Sequence, residues 1–263
     1  MHPAIIRKLK YRINNMVRKI CVLGAFLCTN AYAEEVIDPS DLTKVYTQAA
    51  VFVNSDADIR TAGMMTGAWS ENIQFAGFIE ANWGELNSDK ADKFSLDYKS
   101  SRTQYFQVHA MGDQKGIFPR VGLSFDYIHQ KVPNAKDAHL LSVGTIGVLN
   151  PTYTNGKFML FPNVAYAVGD ISGEQVDGVM LNLFATIPVS DSGAFIQAWP
   201  EYFSVSGDNV NLNSMTYNLM LNAPLKQDRT QWLMTKLEYN SIDMNGFKAD
   251  GELTLEVGVK WFF

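Results

Sequence analysis

The chain has 263 residues, of which 47% are hydrophobic and 19% charged, with a formal net charge of −5 and a mean hydropathy of −0.08. These values exclude a bundle of membrane helices and a disordered chain. With only 19 Gly, 9 Pro and 2 Cys they also exclude a collagen-like or disulfide-rich one. Aromatic residues, at 12%, are the outlying figure, and composition does not say where they sit.

From Arg7 to Lys19 there are six basic residues and no acid, followed by the apolar run Ile20 to Leu27 and then Ala31-Tyr32-Ala33. This order, a positive segment, a short apolar segment and a small-x-small site before Glu34, predicts a secretory signal over 1–33, with Met16 as an alternative start. The apolar run is far short of the roughly 20 residues that a spanning helix needs. Cys28 suggests a lipid anchor, but Ala25 and Leu27 stand where such a site needs leucine and a small residue. Cleavage after Ala33 leaves 230 residues without cysteine, 16 basic against 27 acidic, a net of −11. Such a chain has no disulfides to stabilise it, and its charge argues against nucleic acid as a partner.

After a polar lead-in, Glu34 to Asp41, residues 34–263 read as one domain of alternating segments. Weak candidates cover 43–54 and 58–69. Ile73, Phe75, Ile79 and Trp83 then oppose Gln74, Glu80 and Asn82. Within 94–110 parity fails, because Phe94, Leu96 and Tyr98 share a face with Arg102, which predicts a bulge or strand end near Ser100. Val121, Leu123, Phe125 and Tyr127 alternate with Arg120, Ser124 and Asp126. A weak segment at 139–149 precedes Phe158, Leu160, Val164, Tyr166 and Val168, then Val179, Leu181, Leu183, Ala185, Ile187 and Val189. Segment 194–206 shows no clear apolar face. Met215, Tyr217, Leu219, Leu221 and Ala223 alternate with Asn218 and Asn222, and 231–241 is again weak.

The last segment is the most regular: Leu253, Leu255, Val257, Val259, Trp261 and Phe263 alternate with Thr254, Glu256, Gly258, Lys260 and Phe262. Eleven residues of period two exceed the usual soluble strand and match the length of a tilted strand crossing a bilayer. Leu255, Val257, Val259, Trp261 and Phe263 resemble the terminal strand of bacterial outer-membrane β-barrels, which end on an aromatic residue. The resemblance implies recognition of this end by the barrel-assembly machinery and a Gram-negative outer membrane with its lipopolysaccharide as surroundings. It covers only the last dozen residues and names no family within the class.

Only a closed barrel leaves no unpaired edge in lipid. The expected fold is therefore all-β, a closed antiparallel transmembrane β-barrel of about twelve strands, with ten as the alternative if 58–69 joins a loop and 94–110 proves shorter. Twelve strands in 230 residues allow about 19 for each strand and its connection. Both ends are expected in the periplasm, and short external connections near 54–58, 84–93, 131–138, 170–177, 206–212 and 241–249. Trp69, Trp83, Tyr98, Tyr127, Tyr153, Tyr166, Tyr202, Tyr217, Tyr239 and Trp261 suit interfacial girdles better than a stacking platform for sugars or bases.

Parity turns Glu80, Arg120, Asp126, Lys236, Glu238, Glu256 and Lys260 inward, together with Phe52, Phe78, Met159, Phe161, Met180, Phe184 and Met220. The apolar members, Phe78, Phe161 and Phe184 among them, imply either a filled barrel or a passage for a partly apolar solute. Charges on the last two strands either neutralise one another or tune selection. Catalytic chemistry finds little support. His139 and Ser142 lie one residue too far apart to share a face, and Asp126 and His129 have opposite parity. No metal-ligand spacing or phosphate loop occurs, and no cofactor is implied. The expected function is passive diffusion of a small solute through a monomeric outer-membrane channel; a lipid-modifying hydrolase and a filled structural or surface barrel are the alternatives.

Overall fold

A computed structural model describes residues 46–86, 96–113 and 115–263. The predicted signal, the lead-in and most of the 84–93 connection lie outside the described residues. The strands are β1 (Tyr46–Asn54), β2 (Ile59–Ser70), β3 (Ile73–Gly84), β4 (Asp97–Ala110), β5 (Arg120–Gln130), β6 (Ala138–Val148) and β7 (Met159–Ile171). They continue with β8 (Glu174–Pro188), β9 (Phe195–Ser206), β10 (Asn211–Pro224), β11 (Gln231–Met244), β12 (Phe247–Lys248) and β13 (Glu252–Phe262).

From β1 to β11 each strand pairs antiparallel with the next, β11 pairs with β13, and β1 pairs with β13 from Gln48↔Phe262 to Asn54↔Glu256, closing a ring of twelve. The two-residue β12 pairs only with β11 and lies outside that ring. The ten-strand alternative fails because residues 59–66 pair with β1 and 59–70 with β3, and β4 runs its full fourteen residues. Tyr46 and the C-terminus lie at one end, where the Phe263 amide donates to the Thr47 carbonyl at 2.9 Å. We call this end proximal and the opposite end distal.

Turn chemistry sets the distal connections. Ser172 and Gly173 both have positive φ (57° and 91°), the two-residue arrangement whose twist matches that of the flanking strands. Strand β8 therefore begins at Glu174, several residues before its apolar alternation at Val179, and the expected 170–177 connection contracts to two residues. Asn245-Gly246 makes the same kind of turn between β11 and β12. At the proximal end β6 and β7 are joined through a short 3-10 turn, Pro151–Thr154, capped by Asn150 Oδ1, which accepts from the Thr152 amide at 3.1 Å.

The faces are inverted relative to a soluble protein. Leu123, Phe125, Leu181, Leu183, Leu219, Leu221, Leu253 and Leu255 are exposed, while Ser124, Asp126, Asn182, Asn218, Asn222 and Glu256 are buried. A continuous apolar exterior around a polar interior is what a barrel in lipid requires. The bulge expected near Ser100 is present: Asn82 pairs with Ser100 and Trp83 with Tyr98, leaving Lys99 as the extra residue.

Candidate functional site

The bulge at Lys99 resets the parity of β4 and turns Arg102 into the lumen. Its guanidinium grips Asp126 of β5, with Nε at 2.9 Å from Oδ1, and reaches Glu201 of β9, with Nη2 at 2.6 Å from Oε2. Strands β4 and β9 are five places apart in a ring of twelve, so this bridge crosses the interior. Gln104 Nε2 donates to Asp126 Oδ2 at 2.9 Å, and the Asn182 amide donates to Glu201 Oε2 at 3.1 Å. Asp126 is 2% exposed. At that depth these hydrogen bonds replace the water that a carboxylate loses on burial.

A second network lines the closure seam. Arg60 of β2 donates from Nη1 to Glu80 Oε2 at 2.8 Å and from Nη2 to Glu256 Oε2 at 2.5 Å. Lys236 Nζ lies 2.8 Å from Glu238 Oε2 and 3.5 Å from Glu256 Oε2. The Asn218 amide donates to Glu238 and accepts from Trp199 Nε1, both at 3.0 Å. The Arg60 guanidinium sits 3.8 Å over the Phe52 ring, a stacking available to a planar cation. Phe52 faces Gly258 across the seam, and a Cβ there would run into the ring and come within 2.6 Å of the Val51 carbonyl. Gly258→Val is thus expected to displace Phe52 and destabilise the barrel by about 1–3 kcal/mol, seen as a lower temperature for loss of the folded band on a detergent gel.

Aromatic side chains fill space between these networks. Phe106 of β4 makes edge contacts with Phe78 of β3 at 6.1 Å and with Phe184 of β8 at 5.8 Å, and Phe161 pairs with Phe184 in register. At the proximal end Lys260 Nζ lies 5.1–5.8 Å from the rings of Phe262, Trp232 and Phe195. Met180 is buried with Phe203 and Val205 toward the distal half, and Met220 packs on Phe52 and Met234. Met159 shares the inward parity of Asn163 and Ala165. Arg120 keeps the parity of Ser124 and Asp126 at the proximal end of β5, and among the described residues no ion pair joins it.

Glu80, Asp126, Lys236, Glu238, Glu256 and Lys260 are thus brought together as two networks and one aromatic cradle, while Arg120 stands apart. Arg60, Arg102 and Glu201 were missed by sequence reasoning. Their strands carry the weakest alternation: β2 is interrupted by Gly63 and Gly67, β4 by the bulge, and β9 by Pro200, beside which the β8 ladder skips from Asn182↔Glu201 to Ala185↔Ala198. Parity counted backwards from the end of β4 would have found Arg102.

The imidazoles face outward, away from these networks. His139 is exposed and Ser142 is buried on the opposite face of the same strand; Asp126 binds Arg102, not His129. Ser101 Oγ accepts from the Tyr98 hydroxyl at 2.7 Å, and Tyr98 in turn meets His129 Nδ1 at 2.6 Å. Sequence spacing offered no metal ligands, but the β5–β6 hairpin brings His129, Asp137 and His139 together, with ligand atoms within 4.8 Å of one another. A hydrogen bond from Lys131 holds the Asp137 carboxyl below its usual range. The girdle aromatics are exterior: Trp69, Tyr127, Tyr166, Tyr217 and Tyr239 are exposed, and Trp69 stacks on Phe75 at 4.6 Å.

No family model and no curated protein matches the chain in sequence. Among solved structures it is similar to an outer-membrane channel from Pseudomonas putida F1, with a TM-score of 0.53, 9% identity, and coverage of 86% of this chain and 100% of the other. It is likewise similar to outer membrane phospholipase A from Escherichia coli, with a TM-score of 0.52, 12% identity, and coverage of 87% and 94%. Its fold is that of bacterial outer-membrane β-barrel proteins. The KdgM porin also matches, at 11% identity over 83% of this chain and 99% of the other, with a TM-score of 0.49. This fold serves a channel and a phospholipase alike, so function has to be read from side chains.

Proposed function

We propose that the chain is an outer-membrane channel passing small polar or cationic solutes through a lumen narrowed by the Arg102 bridge. The observation that carries this reading is the ion pair from β4 to β9 across the interior. A barrel needing only to be filled is as stable, or about 1–4 kcal/mol more so, with apolar side chains in place of a buried pair. Charges inside therefore favour a role in what passes. Gln74 Oε1, Asn163 Nδ2 and Asn222 Oδ1 also face inward without a protein partner among the described residues, which suits a hydrated interior.

Selectivity follows from charge. Arg60, Arg102, Arg120, Lys236 and Lys260 are balanced by Glu80, Asp126, Glu201, Glu238 and Glu256. The distal mouth is not balanced. A cavity of about 380 Å3 there is lined by Asp56, Asp58, Glu85 and Glu252, with Lys99 as the one lining cation among the described residues, and Lys99 Nζ is held by Asp58 at 2.7 Å. An acidic mouth concentrates cations and repels anions at low salt.

Proteoliposomes are expected to swell faster in a zwitterionic or cationic amino acid than in an anionic one of equal size. Neutralising Asp58 and Glu252 together should shrink that preference several-fold. Swelling no faster than empty liposomes with every solute would contradict transport and favour a filled barrel.

A further inference from the structure

Independently of the channel reading, the outer face of the β5–β6 hairpin carries a cluster that the lumen does not use. His129 and His139 are directly opposed in register, and their rings lie nearly parallel with centroids 4.6 Å apart. Asp137, one residue before β6, places Oδ2 3.2 Å from His129 Nε2. On the other side of each ring a tyrosine hydroxyl occupies Nδ1, Tyr98 at 2.6 Å from His129 and Tyr127 at 2.9 Å from His139.

With the Tyr98 hydroxyl donating to Ser101, its oxygen is left to accept from His129 Nδ1, the tautomer that frees Nε2 as a ligand. In a neutral ring Nε2 is then a bare lone pair against a carboxylate oxygen. Two acceptors in contact call for a positive charge between them, a proton or a metal ion. Holding one imidazole nitrogen by a partner so that the other faces the metal is the usual way a ligating histidine is oriented. Lys131 Nζ, 2.7 Å from Asp137 Oδ2, is the local competitor. It sits on a long side chain that is 41% exposed and free to leave.

We propose that His129 Nε2, His139 Nε2 and a carboxylate oxygen of Asp137 form a rim site for a divalent transition metal of the zinc class. Two imidazoles and one carboxylate select zinc, nickel or copper over magnesium or calcium, whose ligands are oxygens. Metal bonds of about 2.0–2.2 Å require the three atoms to close in from their present spacing, which small ring rotations on the hairpin supply. Three protein ligands leave a coordination position open to water or an anion. The site sits at the distal end of its strands on the outward face, so that position opens beside the membrane surface.

The test uses the full chain folded in detergent, without a histidine tag, with zinc chloride as the probe in calorimetric titration. One zinc ion is expected to bind per chain, unaffected by a hundredfold excess of magnesium. His129→Ala and His139→Ala should each weaken binding at least tenfold, with the folded gel band retained. Zinc should also protect His129 and His139 of the unmutated protein from diethyl pyrocarbonate while His109 is still modified, a readout that needs no variant. Absence of saturable binding, displacement by magnesium, or equal protection of all three histidines would overturn the proposal.

Discussion

Replacing Arg102 with methionine is expected to raise single-channel conductance several-fold and to lower barrel stability by about 3–5 kcal/mol, the range for removing one partner of a buried ion pair. Methionine keeps much of the side-chain volume beside Met180, whose sulfur lies 3.9 Å from the guanidinium, so packing changes little. What is lost is the charge that holds Asp126 and Glu201 from opposite walls. Among the described residues Asp126 then retains Gln104, and Glu201 the Asn182 amide. Adding Asp126→Asn and Glu201→Gln to the methionine variant should restore most of the stability without restoring the narrow conductance, because the costs of residues sharing one network are not additive. Denaturant titration of the folded gel band measures the first effect and planar-bilayer recording the second.

Truncation of Trp232 is expected to cost about as much by a different route. The indole is fully buried, packs against Phe195 at 5.5 Å and Phe262 at 6.2 Å, and donates from Nε1 to the Arg229 carbonyl at 2.6 Å. The turn that delivers it is pinned by Asp228, whose Oδ1 accepts from the Thr230 amide at 3.0 Å; that hydrogen bond holds the Asp228 carboxyl below its usual range. Trp232→Ala opens a cavity between β9, β11 and β13, leaves a carbonyl unpaired, and removes one wall of the cradle around Lys260. A loss of about 3–5 kcal/mol is expected. The Tyr46 and Phe262 edge contact at 5.9 Å joins β1 to β13 beside it, so the damage should also appear as slower refolding into detergent. A variant as stable as the parent would show that the proximal cluster is not a closing element.

The parts of the fold legible in the sequence were those where every second residue meets lipid. Strands β5, β8, β10 and β13 carry Leu, Val, Phe and Tyr at outward positions and amides or charges inward, so period two is unbroken and the faces follow. Strands whose outward residues are small, or whose parity is reset, gave up their positions but not their faces. Strand β2 presents Thr61 and Gly63 outward, β4 skips at Lys99, and β9 carries Pro200. Arg60, Arg102 and Glu201 stand on those three strands, which is why the expected lumen set held Glu80, Asp126 and Glu256 but not the arginines that bind them. The histidine cluster was hidden for another reason. His129 and Asp137 are eight residues apart, and only the hairpin register makes them neighbours, a proximity no linear motif encodes.

In the proposed channel the Arg102 bridge narrows an otherwise continuous aqueous path. Single-channel recording of the parent and of Arg102→Met in the same planar bilayer and salt tests it most directly. Small discrete steps are expected from the parent and steps several-fold larger from the variant. Silence from both proteins, with the folded band intact, would contradict it.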